Sequence, residues 1–219
     1  MTSDAFLTWL QQHRAIAIIR APSPTLGIHL AQAVAAGGMR MIEITWNSDQ
    51  PAQIVAQLRQ QLPHCAIGAG TLLTLADLKN AQAAGAMFGF GPYTAPDLLA
   101  WAQTHNLPMV PGALTPNEIV RAWQAGASAV KVFPISAMGG ADYIRSLQGP
   151  LGHIPLVPTG GVTVDAALPL LQAGATGVGL STGLFAKTAV LQEDWGTITT
   201  AAARLVTNLK QNQGANRQP

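Results

Sequence analysis

The sequence predicts an α/β fold, a (β/α)8 barrel with an N-terminal helix that closes one end, as a single domain over residues 1–210. Two observations support this prediction. Short apolar runs alternate with longer amphipathic stretches, and eight such units follow one another along the chain. An unbroken series of eight strand–helix units favours a closed barrel over an open doubly wound sheet. The 219 residues, 48% of them hydrophobic, are enough for one large core.

The eight apolar runs have the length and composition of buried parallel strands. Their starts are separated by 26, 25, 21, 21, 21, 26 and 22 residues, which is the length of a strand, a loop and a helix. They are apolar on both faces, as strands covered on both sides are. The runs are Ala15–Arg20, Met41–Trp46, Ala66–Thr71, Met87–Gly91, Pro108–Gly112, Ala129–Pro134, Pro155–Gly160 and Gly177–Ser181.

The two ends of the chain lie outside this series. The stretch Asp4–His13 precedes the first strand, and we expect a helix there that closes the bottom of the barrel. Residues 211–219 are polar and lack periodicity, so we expect them to form a disordered tail.

Composition argues against several classes of function. Only 10% of the residues are charged, against roughly 25% in an average domain, which favours an oligomer that covers apolar surface. The twelve Lys and Arg residues are scattered, so we expect no nucleic acid partner. One cysteine, Cys65, excludes an intrachain disulfide. With no secretory leader and no apolar run of membrane-spanning length, we expect a cytoplasmic protein without a membrane partner.

Lys131 is the most informative charged residue. It lies within the apolar strand Ala129–Pro134, where burial favours the neutral, nucleophilic amine that forms a Schiff base with a ketone. Arg20 and Glu43 also lie in or at the far end of a strand. The alternative interpretation is that Lys131 and Glu43 form an inert buried ion pair.

Glu43 belongs to a polar set in the second strand. Strand alternation places Glu43, Thr45 and Asn47 on one face, opposite the apolar residues between them. Polar residues at a spacing of two fit the interior of a barrel that carries a site. Glu43 is therefore a candidate general acid/base, and its pairing with Lys131 is the alternative role.

Other polar groups follow the third, seventh and eighth strands. Thr71 ends the third strand, although a threonine at such a place, taken alone, more often simply flanks a helix; Thr74 is the better N-cap. Gly160, Gly161 and Val162 follow the seventh strand and Ser181 ends the eighth, where barrels bind phosphate. None of the histidines joins a carboxylate cluster at this end, so we expect no metal site.

Taken together, these motifs resemble the KDPG/KHG aldolase family over nearly the whole chain. The pieces that carry the resemblance are Ile42-Glu43-Ile44-Thr45, Ile67-Gly68-Ala69-Gly70-Thr71, Thr115-Pro116-Asn117-Glu118, Lys131-Val132-Phe133-Pro134 and Pro158-Thr159-Gly160-Gly161-Val162. The resemblance implies a homotrimer that uses no cofactor and cleaves the C3–C4 bond of a small 2-keto acid. It implies a phosphorylated substrate, 2-keto-3-deoxy-6-phosphogluconate, or 4-hydroxy-2-oxoglutarate; the products are pyruvate and glyceraldehyde 3-phosphate or glyoxylate.

The resemblance also implies roles for single residues. Lys131 matches the Schiff-base lysine, and Glu43 the acid/base that acts through a bound water. Thr71 matches a contact to the pyruvate moiety. The other matches are to the phosphate end, with Gly161, Val162 and Ser181, and to the pocket wall, with Pro92 and Phe133.

One position departs from the pattern. Many members that act on the gluconate-derived substrate carry an arginine where this chain has Asn47, and Asn47-Ser48 is more similar to the 2-keto-3-deoxy-6-phosphogalactonate branch. Thr45 and the Pro158–Gly161 segment are similar to the gluconate branch. We hypothesise that Arg20 supplies the missing positive charge at the substrate carboxylate.

Two further interpretations compete with an aldolase. One is a phosphate-binding barrel enzyme without Schiff-base chemistry, in which Lys131 is an electrostatic clamp. The other is a catalytically inactive barrel kept as a binding subunit, for which we would expect Lys131 or Glu43 to be lost, whereas both are present.

Overall fold

The computed structural model describes residues 1–215, with side chains to Gln211, as an α/β fold of parallel strands alternating with helices. The strands are β1 (Ala15–Ile19), β2 (Met41–Thr45), β3 (Ala66–Gly70), β4 (Gly89–Phe90), β5 (Met109–Val110), β6 (Gly112–Ala113), β7 (Val130–Val132), β8 (Leu156–Pro158) and β9 (Val178–Leu180). The α-helices are α1 (Ser3–His13), α2 (Pro24–Ala36), α3 (Pro51–Gln61), α4 (Leu75–Ala83), α5 (Pro96–Thr104), α6 (Pro116–Gln124), α7 (Ala141–Leu151), α8 (Val164–Gln172), α9 (Lys187–Leu191) and α10 (Trp195–Ala215). A short 3-10 helix spans Ile135–Met138.

Each of the eight predicted runs contains an observed strand, and the fifth run contains β5 and the first residue of β6. Pro111 separates β5 from β6, because proline has no N–H to donate to a strand ladder. Its carbonyl oxygen still accepts a hydrogen bond from the backbone N–H of Lys131 at 2.9 Å. The chain thus passes at Pro111 from one sheet to the next.

The strands pair in parallel within two sheets. Six strands follow the order β5-β4-β3-β2-β1-β9, and three follow the order β6-β7-β8. Backbone hydrogen bonds also join the edges of the two sheets: Ser128 donates to Met109, and Thr176 donates to Leu156, each at 2.9 Å. An isolated parallel bridge between Thr159 and Gly179 continues the second junction.

Alternation along the strands sorts buried side chains into two clusters. In β1, Ala15, Ala17 and Ile19 pack with the surrounding helices, whereas Ile16 and Ile18 belong to a smaller inner cluster. This inner cluster also contains Met41, Ala66, Phe88, Phe90, Val110, Ala129 and Val157. The inward set and the outward set follow from the two-residue period of a strand.

Helix α1 supplies the remaining members of the inner cluster, Phe6 and Leu10, which have no exposed surface. Thr2 caps the helix by accepting a hydrogen bond from the N–H of Ala5 at 3.2 Å. A Cβ on Gly177, just before β9, would lie 2.4 Å from Leu10 Cδ1. Helix α1 therefore packs closely against the N-terminal ends of the strands.

At the other end of the chain, α10 continues to Ala215, into the segment 211–219 for which the sequence predicts disorder. Residues 216–219 lie outside the described residues. Among the helices of the described part of the chain, none is long and apolar enough to cross a membrane.

We expect Leu10→Ala to lower the free energy of unfolding by about 2–5 kcal/mol, because it opens a cavity in the inner cluster. Leu191, which is 73% exposed, offers the matched control: Leu191→Ala should change stability by no more than about 0.5 kcal/mol. Urea denaturation measures both. Equal, small effects of the two substitutions would contradict the packing of α1 described above.

Candidate active site

A cavity of about 270 Å³ lies at the C-terminal ends of the strands. This is the end at which parallel α/β proteins bind ligands. Its lining residues are Ile18, Arg20, Glu43, Thr45, Thr71, Pro92, Lys131, Phe133, Thr159, Gly160, Gly161, Val162, Gly179, Ser181 and Thr182. The structure therefore brings together all the predicted site residues except Asn47.

Lys131 is the central residue of β7 and is only 6% exposed. Its Nζ lies 4.9 Å from the ring centroid of Phe133 and 6.0 Å from that of Phe90. Val130 and Val132 on either side pack against the helices, so alternation turns Lys131 inward. The Lys131 amine therefore lies in the cavity with the aromatic rings of Phe90 and Phe133 near it.

Glu43 is 1% exposed, and neither of its carboxylate oxygens has a hydrogen-bond partner among the described residues. No ion pair joins it to Lys131: within the described chain, the N···O contacts below 4.0 Å are Arg145–Asp142 and Arg204–Asp165. Burial raises the pKa of Glu43, and the positive charges of Lys131 and Arg20 oppose that rise without cancelling it. The inert contact pair considered above is therefore not formed.

Gly70 makes room for this carboxyl group. A Cβ on Gly70 would lie 1.6 Å from Glu43 Oε1, well inside any possible contact. Thr45 pairs with Gly70 in the β2–β3 ladder, so the glycine sits directly beside the strand that carries Glu43. Gly70 is therefore required because it leaves space for the Glu43 side chain, and not because of its backbone conformation.

Asn47 does not line the cavity, contrary to the expectation that it shares a face with Glu43. Strand β2 ends at Thr45, and the N–H of Ser48 donates to Thr45 O in a turn, so alternation no longer applies. Asn47 Oδ1 instead accepts a hydrogen bond from Arg20 Nε at 3.2 Å. Asn47 thus touches the residue that we expect to bind the substrate carboxylate.

A buried hydroxyl pair supports the same corner. Thr45 Oγ1 and Ser48 Oγ are 3.2 Å apart, and Ser48 Oγ accepts a hydrogen bond from the N–H of Ala21 at 3.1 Å. The N–H of Asp49 donates to Ala21 O at 2.9 Å. These bonds tie the loop after β1 to the loop after β2, and thereby hold Arg20 beside Asn47.

Thr71 lines the cavity with a backbone φ of 56°. A left-handed conformation is strained for a β-branched residue, and such strain is often found at functional sites. The next residue, Leu72, is held by a hydrogen bond from its N–H to Phe90 O at 3.1 Å. Thr71 is therefore more than a helix-flanking threonine, a role that Thr74 fulfils with a full capping box for α4.

The two positions after β8, Gly160 and Gly161, also require glycine. Gly160 and Gly161 have φ of 91° and 76°, and a Cβ on Gly161 would lie 2.5 Å from Ser136 Oγ. The loop leads into α8, whose N-cap is Thr163, and a parallel bridge between Thr163 and Gly183 places it beside the segment that carries Ser181 and Thr182. The cavity thus has a hydroxyl-rich and glycine-rich end distinct from Lys131.

Five lining residues were not among the predicted site residues: Ile18, Thr45, Thr159, Gly179 and Thr182. Alternation carried a usable signal for four of them, because Ile18, Thr45, Thr159 and Gly179 are each two residues from a predicted site residue. Thr182 lies beyond its strand, where no periodicity applies. Within the described residues, no group of three or more His, Cys, Asp or Glu side chains could hold a metal ion.

Comparison with known proteins adds to this geometry. Residues 7–201 match the family described as KDPG and KHG aldolase. The chain is 35% identical to the 2-dehydro-3-deoxy-phosphogluconate aldolase of Treponema pallidum over 71% of this chain and 74% of that protein. It is 31% identical to the enzyme of the same name from Pseudoalteromonas atlantica over 82% and 83% of the two chains.

Several solved structures are also similar to this chain. The KDPG aldolase of Legionella pneumophila, with pyruvate captured as a covalent carbinolamine, has a TM-score of 0.84 at 25% identity and covers 91% of this chain and 97% of its own. A native KDPGal structure has a TM-score of 0.81 at 29% identity, with 90% and 94% covered. A protein cage designed by fusing symmetric oligomeric domains reaches 0.83 at 29% identity, with 94% and 76% covered.

A parallel α/β fold with a buried lysine at the C-terminal ends of its strands, together with these likenesses, defines the class of the protein. It is a class I aldehyde-lyase, an aldolase of the kind that works through a lysine imine. Within that class, the chain belongs to the KDPG and KHG aldolase family.

We expect Glu43→Gln to stabilise the protein increasingly as pH rises. Burial raises the pKa of Glu43 above the ordinary 4.5, so between these two values the unfolded state ionises while the folded state keeps its proton. The wild type therefore loses stability over this range, and the glutamine variant does not. Urea denaturation at about pH 4 and about pH 8 measures the widening gap.

Glu193 is exposed, so Glu193→Gln serves as the control for the same substitution at the surface. A gap between wild type and Glu43→Gln that stays constant with pH would contradict the raised pKa.

Proposed function

We propose that this aldolase cleaves the C3–C4 bond of a phosphorylated 2-keto-3-deoxy sugar acid. The substrate we favour is 2-keto-3-deoxy-6-phosphogluconate, which yields pyruvate and glyceraldehyde 3-phosphate; 4-hydroxy-2-oxoglutarate, which yields pyruvate and glyoxylate, is its companion. The observation that carries the proposal is the presence of Lys131 and the unpartnered Glu43 in one cavity. The names of the relatives support the substrate class.

The reaction begins at the amine. Lys131 Nζ attacks the C2 carbonyl carbon, the carbonyl oxygen leaves as water, and a protonated imine forms. The raised pKa of Glu43 keeps its carboxyl group protonated over a wider pH range, so it can supply the proton that this dehydration needs. The two groups do not neutralise one another in a contact pair, which leaves both free to act.

Cleavage then uses the imine as the electron sink. Glu43, now ionised, accepts the proton of the C4 hydroxyl through a bridging water. The C3–C4 bond breaks, its electron pair moves into the imine to form an enamine, and the aldehyde leaves. The proton returns to C3, and hydrolysis of the imine releases pyruvate and restores Lys131.

The remaining lining residues bind the two charged ends of the substrate. Arg20 receives the carboxylate next to C2, because it is the cation at that rim and its guanidinium is held by Asn47. Thr71 contacts the pyruvate moiety, and Pro92 and Phe133 form the pocket wall. The phosphate binds at the opposite end, where Gly160, Gly161, Val162 and Ser181 lie.

We extend the proposal to architecture and assembly. The backbone bonds at both sheet junctions support one closed (β/α)8 barrel over residues 1–210, with β5 and β6 as one strand and α1 covering its lower end. A homotrimer is supported by the low charge of the chain and by exposed Tyr93 and Phe133 near the cavity. The likeness to a cage designed from symmetric oligomeric domains also supports an oligomer of this chain. The cytoplasmic location stays a prediction.

A second candidate substrate is 2-keto-3-deoxy-6-phosphogalactonate, which differs in the configuration of a hydroxyl group. Asn47 in place of arginine favours it, as does the likeness to the native KDPGal structure. Both candidates use the same Lys131 and Glu43 chemistry. They differ at the corner formed by Arg20 and Asn47.

Borohydride reduction in the presence of pyruvate should attach a stable adduct to Lys131, because the imine forms on that amine. Peptide mass spectrometry locates the adduct. Lys131→Arg should give none, whereas the control Lys79→Arg, at an exposed position on α4, should react like the wild type. Unmodified Lys131 in the wild type would favour the electrostatic-clamp alternative.

Glu43→Gln should lower kcat by about 10²–10⁴-fold, because the general acid/base is lost.

We expect Arg20→Ala to lower kcat/KM by about 10–100-fold, chiefly through KM, because a charge-assisted hydrogen bond to the substrate carboxylate is lost. Asn47→Ala should cost less, about 2–10-fold, and the double variant should be no worse than Arg20→Ala. Steady-state kinetics with the gluconate, galactonate and hydroxyoxoglutarate substrates measures these effects and ranks the substrates. Unchanged kinetics of Arg20→Ala would refute its role at the carboxylate.

A further inference from the structure

A second cavity, of about 320 Å³, lies at the opposite end of the strands from Lys131. The end of α1, the start of β1, the segment before β2 and the last described turns of α10 form its walls. Its lining residues are Gln12, His13, Ala15, Gly38, Met39, Arg40, Val206, Leu209 and Lys210. Because Ala15 begins β1 and Arg20 follows its end, the two cavities are separated by about the length of a strand, on the order of 16 Å.

The charged groups of this second cavity have one sign. Among the described residues that line it, the ionisable side chains are His13, Arg40 and Lys210, and none is acidic. Within the described residues, none of the three takes part in an ion pair shorter than 4.0 Å. The sequence that follows Lys210 contains no Asp or Glu either. The cavity therefore concentrates positive charge without an acidic side chain to neutralise it.

The three groups act on each other. Burial lowers the pKa of His13, and the charges of Arg40 and Lys210 lower it further. In the part of the chain that the structure describes, no acidic group opposes this effect. An anion between the three would remove the repulsion and favour the charged imidazole.

Two of the three basic side chains are held in place. Arg40 Nη1 donates to the carbonyl oxygens of Ala35 and Met39, each at 2.9 Å. The His13 ring packs against Trp9 with 5.1 Å between ring centroids. An anion would therefore meet preformed donors and lose little affinity to the ordering of side chains.

We propose that this cavity is a second binding site, specific for a small phosphate-bearing anion. His13, Arg40 and Lys210 would receive the phosphate group, and the apolar wall of Ala15, Met39, Val206 and Leu209 would cover the organic part of the ligand. The site uses no residue of the active-site cavity. Its occupancy is independent of the reaction at Lys131.

Sulfate tests the charge requirement, because its charge stays at −2 across the range in which histidine titrates. The imidazole resonances of the full chain are followed by NMR over pH, in sulfate and in sodium chloride of equal ionic strength. We expect sulfate to raise the titration midpoint of His13 by about one pH unit and to leave the midpoints of the other histidines unchanged. His13→Gln assigns the signal. Inorganic phosphate and glycerol 3-phosphate should shift the same His13 resonance.

Lys210→Gln should weaken sulfate binding by about 2–5-fold, the effect of one exposed charge, while the control Lys79→Gln leaves it unchanged. Arg40→Gln should weaken binding more, and its urea denaturation shows that the variant is folded. All three variants should keep the wild-type kcat. A His13 midpoint that sulfate and phosphate do not move beyond the chloride effect would overturn the proposal. Equal weakening by Lys79→Gln would do the same, because it would indicate general screening.

Discussion

The removal of Lys131 and Glu43 from water within one cavity is the constraint on which the rest of this site depends. An isolated charge is costly to bury, so each side chain must be compensated by a partner or by a change in protonation. Among the described residues, Glu43 has no hydrogen-bond partner for either carboxylate oxygen, and burial raises its pKa. The absence of a direct ion pair leaves an amine and a carboxyl group whose protonation can still change, which is what imine chemistry requires.

Residues from several separate segments of the chain position Lys131 and Glu43. Gly70 leaves the space into which the Glu43 carboxyl group projects. Pro111 interrupts the fifth strand, and its carbonyl oxygen fixes the backbone N–H of Lys131. Phe90 and Phe133 surround the lysine amine with aromatic rings. A small residue, a broken ladder and two aromatic residues thus define the position of one amine and one carboxyl group.

The parallel strands also divide the molecule into two chemically different ends. Arg20 lies just beyond the C-terminal end of β1, and Glu43 lines the same cavity from within β2. The loops at this end of the strands carry hydroxyl groups and glycines. Helix α1 packs against the opposite end with Phe6 and Leu10. Beyond that packing, His13, Arg40 and Lys210 gather positive charge. Opposite ends of the same strands can therefore carry independent sites without sharing a side chain.

Short-range patterns in the sequence were sufficient for the order of the elements and for most of the cavity. Apolar runs at regular spacing predicted each strand, because a strand covered on both faces needs apolar residues at every position. A lysine or glutamate in such a run is conspicuous for the same reason, so Lys131 and Glu43 could be identified without coordinates. Position after a strand was enough for Arg20, Thr71, Gly161 and Ser181, because parallel strands end at one edge.

The tertiary structure decided what depends on contacts between distant segments. The prediction that Asn47 shares the face of Glu43 was wrong, because the chain turns after Thr45 and Asn47 meets Arg20 across two loops. The lack of a contact between Lys131 and Glu43 depends on the distance between two strands far apart in sequence. The raised pKa of Glu43 depends on its burial by several elements at once. The sequence by itself determined most of the groups that reach the cavity, because they lie in or directly after apolar strands, and only the tertiary structure excluded Asn47 and decided which of the others touch.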